Sequence, residues 1–91
     1  MYKISTTNKF EKDVVKCVKR NLNISELEIA VSLLELTGTL TNNYKPHPLK
    51  GNYIAHWECH IKPDWLLIWF PLKNEKEITL VRTGTHSELF K

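Results

Sequence analysis

The chain has 91 residues and a mass of 10.7 kDa, enough for one small core and too short for two, so a single domain over residues 1–91 is expected. With 42% hydrophobic and 25% charged residues, three glycines and four prolines, it is not a disordered, collagen-like or low-complexity protein. A net charge of +3 identifies no partner by itself.

Residues 2–5 read as a short strand. Thr7 or Asn8 can cap a helix, and Glu11 stands three residues after Asn8 as in a capping box. Phe10, Val14, Cys17 and Val18 then recur at helical spacing with lysines opposite. Residues 21–23 interrupt the pattern. Ser25 with Glu28 forms a second capping box, and Ile24 and Ile29 occupy the positions of a hydrophobic staple. Leu27, Ala30, Val31 and Leu34 make a stripe that Ile29, Leu33 and Leu36 widen, so this helix should be buried on more than one side. Gly38 supplies its stop.

Residues 39–51, with Pro46, Pro48 and Gly51, read as a surface loop. From Tyr53 the period changes to two. Tyr53, Ala55, Trp57 and Cys59 share one face, and Ile54, His56, Glu58 and His60 the other. Residues 62–64 signal a turn, residues 65–70 a continuously apolar central strand, residues 72–76 a second turn and residues 77–82 a last strand. Gly84 ends the sheet, and residues 86–90 can form one helical turn. The order β-α-α-β-β-β predicts an α+β fold in which a helical hairpin packs on one face of an antiparallel sheet.

No apolar run approaches the roughly 18 residues of a membrane span, and the first residues lack the apolar stretch of a secretory signal. A soluble cytoplasmic protein without a membrane partner is expected. Cys17 and Cys59 lie apart among apolar residues and read as reduced core side chains. Lysines and Arg20 make residues 3–20 basic, residues 21–41 are acidic, and residues 43–62 are basic again and hold three of the four histidines. This distribution suits a polyanion partner, although lysines that merely solubilise a small domain give the same pattern.

The histidines are His47, His56, His60 and His86. His56 and His60 mimic a metal-ligand spacing, but four residues along a strand separate their side chains by ~13 Å, too far to share one ion. No metal and no cofactor is therefore expected, and His56 reads as structural. The other histidines, with Asp64 at a turn, Arg82 and Lys50, suit acid–base chemistry at a phosphate. Cleavage of RNA by its own 2′-hydroxyl needs a base, a cation for the phosphorane and an acid for the departing 5′-oxygen. Phe90 could stack a base and hold the nucleotide splayed for in-line attack. Trp57, Trp65 and Trp69 read as core.

Three blocks, YKPHPLKG at 44–51, ECHIKPDWLLI at 58–68 and RTGTHSELF at 82–90, resemble the YafQ branch of the RelE/ParE toxin superfamily in order and spacing. The resemblance covers essentially the whole chain. It implies the RelE-like fold and the toxin half of a type II toxin–antitoxin pair, an endoribonuclease that cuts mRNA in the ribosomal A site and is neutralised by a cognate antitoxin. His47, His60, Asp64 and His86 match the family's catalytic positions, with His86 as general acid and either His60 or Asp64 as base. Lys50 and Arg82 match phosphate contacts, and Phe90 matches the aromatic beside the base. Two other readings stand beside this one. A ParE-like toxin would share the fold but inhibit DNA gyrase by binding. A plain RNA-binding module would use Lys9, Lys12, Lys16, Lys19 and Arg20 as its contact face.

Overall fold

The computed structural model describes residues 1–90. A five-stranded sheet of order β1-β5-β4-β3-β2 is built from β1 (Lys3–Thr6), β2 (His47–Pro48), β3 (Trp57–Lys62), β4 (Trp65–Leu72) and β5 (Glu77–Gly84). Helices α1 (Asn8–Lys19) and α2 (Ile24–Thr37) pack on one face, and the short α3 (His86–Leu89) follows β5. The α+β class is as the sequence predicts, with one edge corrected. β1 runs parallel to β5, whereas the other three pairings are antiparallel. A tight hairpin forces antiparallel pairing, but Ser5 and Thr79 meet across 74 residues of chain, so no turn dictates the direction there.

The helices form for the expected reasons, with shifted ends. The Thr7 side chain caps α1 by accepting from the Phe10 N–H at 3.0 Å. Phe10 and Cys17 are buried, and so is Asp13 between them, whereas Val18 faces solvent. Asn23, not Ser25, caps α2. That register puts Leu22 and Leu27 at the staple positions. Only the stripe of Leu27, Ala30 and Leu34 is buried, and Ile29 and Leu36 are more than half exposed. The expected burial of α2 on a second side is therefore not found. Gly38 ends the helix in the left-handed region at φ 77°, and a Cβ there would run into the Tyr2 ring.

The segment read as a loop contains β2. Its proline is tolerated because β2 is an edge strand with one row of partners, and His47 lies opposite Glu58. The strand expected from Tyr53 begins only at Trp57. Gly51–Tyr53 is a 3-10 turn, and Ala55 at φ 69° breaks the alternation. β4 and β5 each run two residues further than their sequence patterns suggest. β4 is the middle strand, and Trp65 through Trp69 are all buried.

The main core lies between the helices and the sheet. A smaller cluster of Leu66, Ile68 and Leu89, with Leu49, Tyr53 and Val81 against it, lies on the opposite face. Both cysteines are free and buried, and burial pushes the Cys59 thiol up to about 12. Among the described residues no helix is long and apolar enough to cross a membrane.

Candidate functional site

Strand register gathers residues that are distant in sequence. His47, Glu58, Ile68 and Arg82 form one cross-strand row from β2 to β5, and His60, Leu66 and Gly84 form the next. Because Leu66 and Ile68 belong to the smaller cluster, Glu58 and His60 share the face that the helices leave open. The chain leaves β5 at Gly84, so His86 emerges just beyond the second row.

At the β2 edge, His47 Nδ1 lies 2.8 Å from the Lys45 carbonyl and its Nε2 lies 3.0 Å from Glu58 Oε1. A carbonyl only accepts, so Nδ1 carries a hydrogen. Facing Glu58, the ring is either an imidazolium on a carboxylate or a neutral ring accepting from a carboxylic acid. Both descriptions have one proton shared across the Nε2–Oε1 contact. Glu58 is 5% exposed, and its other oxygen, Oε2, has no protein hydrogen-bond partner. The His60 ring is 6.1 Å from that of His47, and its Nδ1 lies 3.2 Å from the Pro63 carbonyl. A hydrogen donated there leaves the Nε2 lone pair to accept a proton.

The second group is built on α3. Thr85 caps it and Glu88 completes a capping box, accepting from the Thr85 N–H at 2.9 Å. That backbone donor is the main influence holding the Glu88 carboxyl below its ordinary range, and Arg20, at the C-terminal cap of α1, adds to it. Arg20 grips Glu88 through both terminal nitrogens, at 2.9 and 2.6 Å. His86 opens α3 and Phe90 closes it, so one turn sets their rings 4.9 Å apart. Asp64, from the turn between β3 and β4, accepts from the His86 backbone N–H through its Oδ1 at 3.4 Å. Tyr53 meets Phe90 edge to face at 5.7 Å.

Arg82 is anchored from α1. Its Nε donates to Asp13 Oδ2 at 2.7 Å and Nη2 donates to Oδ1 at 3.2 Å, while the Thr83 N–H also donates to Oδ2, at 3.1 Å. The hydrogen bond it donates to Asp13 is the main reason that the Arg82 guanidinium is held even more firmly protonated than usual, and the Tyr53 phenol contributes. A cavity of about 130 Å³ opens beside this pair and is lined also by Lys16, Arg20, Asp64 and Glu88. Lys50 is exposed and precedes the turn that carries Tyr53.

The fold thus pairs His47 with His60, and His86 with Asp64 and Phe90, and it sets Arg82 in the same row as His47. His56 makes no contact with these histidines; its Nδ1 faces the Ile54 carbonyl at 3.0 Å. Three residues of the site escape the sequence reading. Glu58 carries a signal, two positions before His60 on a strand, and Asp13 carries one as a carboxylate on an apolar helical stripe. Tyr53 carries none. Among the described residues, no group of three or more His, Cys, Asp or Glu side chains is arranged to hold a metal.

Comparison with known proteins gives a consistent set of likenesses. Residues 2–91 match the family described as the bacterial toxin of type II toxin–antitoxin systems, YafQ. The mRNA interferase toxin YafQ of Escherichia coli K12 is 35% identical over 88 residues, covering 96% of this chain and 94% of that protein. A crystal structure of a histidine-to-glutamine variant of E. coli YafQ superposes with a TM-score of 0.92 at 32% identity, over all of both chains. YafQ in the E. coli DinJ–YafQ toxin–antitoxin complex superposes with a TM-score of 0.88 at 34% identity, over 99% of this chain and 98% of that one.

Proposed function

Since the chain belongs to the YafQ family of type II toxin–antitoxin toxins, we propose how its open sheet face performs that family's reaction. The chain is the toxin half of such a pair, an endoribonuclease that cuts mRNA, and a cognate antitoxin is its protein partner. In this reading it is one toxin domain over residues 1–91, acting in the cytoplasm on mRNA in the ribosomal A site.

His60 is the general base. Its Nε2 takes the proton of a ribose 2′-hydroxyl, and the oxygen attacks the adjacent phosphorus. The bond to the 5′-oxygen breaks as His86 donates a proton to it, leaving a 2′,3′-cyclic phosphate and a 5′-hydroxyl. Arg82 and Lys50 offset the charge that gathers on the phosphorane. Phe90 stacks a base so that the sugar presents its hydroxyl in line. His47, sharing a proton with Glu58 beside His60, is the second histidine able to exchange a proton at that end of the site. Asp64 tethers the first turn of α3 and so sets the position of His86.

The observation that carries this reading is the register. It puts the rows of His60 and Arg82 two residues apart along β4, with Ile68 and Leu66 on one face, and brings His86 out just past Gly84. The test is primer extension on a defined mRNA, with and without translating ribosomes. Cuts within codons that need ribosomes and vanish in His86→Ala are expected. Cuts that survive in His86→Ala refute the assignment of the acid. A folded, toxic protein that cleaves nothing in either condition refutes the nuclease reading and restores the gyrase-binding alternative.

A further inference from the structure

Beyond Phe90 the open face carries more rings than one splayed nucleotide can use. From His86 the centroids step 4.9 Å to Phe90, 5.7 Å to Tyr53, 5.5 Å to His56 and 5.0 Å to Phe70. The file runs away from the proposed acid along the face on which Leu66 and Ile68 also lie, since Phe70 continues their alternation on β4. Its far end is not core. Phe70 belongs to neither hydrophobic cluster, and His56 and Phe70 are both only partly buried.

The backbone is bent to bring His56 there. Ala55 sits at φ 69°, a conformation that its Cβ disfavours, and such held outliers concentrate at ligand sites. His56 Nδ1 faces the Ile54 carbonyl, which fixes the ring and leaves Nε2 for another partner. The Leu49 N–H donates to the His56 carbonyl at 2.9 Å, so the exposed Lys50 lies at the same end of the loop. Aromatic rings in series beside a cation are how proteins hold successive unpaired nucleotides, with bases stacked on the rings and the phosphate met by the charge.

We propose that His56, backed by Phe70, forms a second nucleobase subsite, which takes the base next to the one on Phe90 and outside the scissile pair. The inference rests on the endoribonuclease reading and adds to it a substrate-positioning residue.

The test uses the full chain and an mRNA carrying an abasic nucleotide on one side or the other of the scissile pair, in whichever setting primer extension shows cutting. Removal of one of the two neighbouring bases is expected to slow the wild type about tenfold, the usual scale of one stacked base. His56→Ala should cut intact RNA about tenfold more slowly and be indifferent to the abasic site, and His56→Phe should keep both the rate and the sensitivity. An alanine variant as sensitive as the wild type, or a wild type indifferent to both abasic positions, overturns the subsite and leaves the nuclease intact. Failure to cut any RNA overturns the nuclease reading, and the subsite falls with it.

Discussion

Asp13 touches no residue of the proposed proton relay, yet Arg82 depends on it. Asp13→Ala removes a carboxylate that accepts three hydrogen bonds, two from Arg82 and one from the Thr83 N–H. The side chains of the pair are 18% and 7% exposed, so the guanidinium loses its counter-charge in a place that water reaches poorly. Breaking one side of such a buried pair costs about 3–5 kcal/mol. That figure already contains part of the ~1–3 kcal/mol for stranding a buried amide such as that of Thr83, so the two do not add. Against the ~5–14 kcal/mol typical of a domain this size, the loss is roughly a fifth of the total at the least. Urea unfolding of Asp13→Ala, Arg82→Ala and the double variant provides the assay. Each single change should lower stability by about 3–5 kcal/mol, and the double change by clearly less than their sum. A single variant within ~0.5 kcal/mol of the wild type at unchanged m-value, or strict additivity, would refute the anchoring role of Asp13.

Two further outcomes follow from local geometry. Gly38→Ala should destabilise the chain by more than the ~1 kcal/mol of left-handed strain alone, because the new methyl group meets the Tyr2 ring; thermal melting of Gly38→Ala beside an exposed control such as Ser32→Ala checks this, and an unchanged Tm would refute it. The Glu88 carboxyl is held below its ordinary value, chiefly by the Thr85 N–H, so its contribution to stability is complete above the unfolded pKa near 4.5 and disappears as pH falls through the lower folded value. Glu88→Gln should therefore lose less Tm than the wild type between pH 6 and pH 3, and superimposable acid limbs would refute the assignment.

How much of this was legible in the sequence depends on where each contact is made. The central strand is plain at 65–70, because burial on both faces leaves an unbroken apolar run. The helix α1 is equally plain from its stripe and cap. β2 is invisible, since two residues, a histidine and a proline preceded by another proline, have no period and their conformation is set by pairing with β3. Ile29 and Leu36 mislead for the opposite reason, as their apolar character invites burial that the single covering face of α2 does not provide. The blocks that carry the candidate site residues stand out in the sequence, but the grouping of those residues does not. No spacing in the sequence says that His47 meets Glu58, that Asp64 holds the His86 amide, or that Tyr53 meets Phe90. Those are consequences of register.

The parallel pairing of β1 with β5 bears on how the molecule comes into being. Its first strand is synthesised early and must wait for its only sheet neighbour until residues 77–84 have been made, a contact of high order that slows folding and keeps it from closing early. The same late stretch is followed by the segment with His86 and Phe90. A nascent chain therefore has neither a closed sheet nor an assembled site while most of it is already translated, and both arrive nearly together. The last sheet pairing and the candidate site are thus completed by the same late segment of the chain.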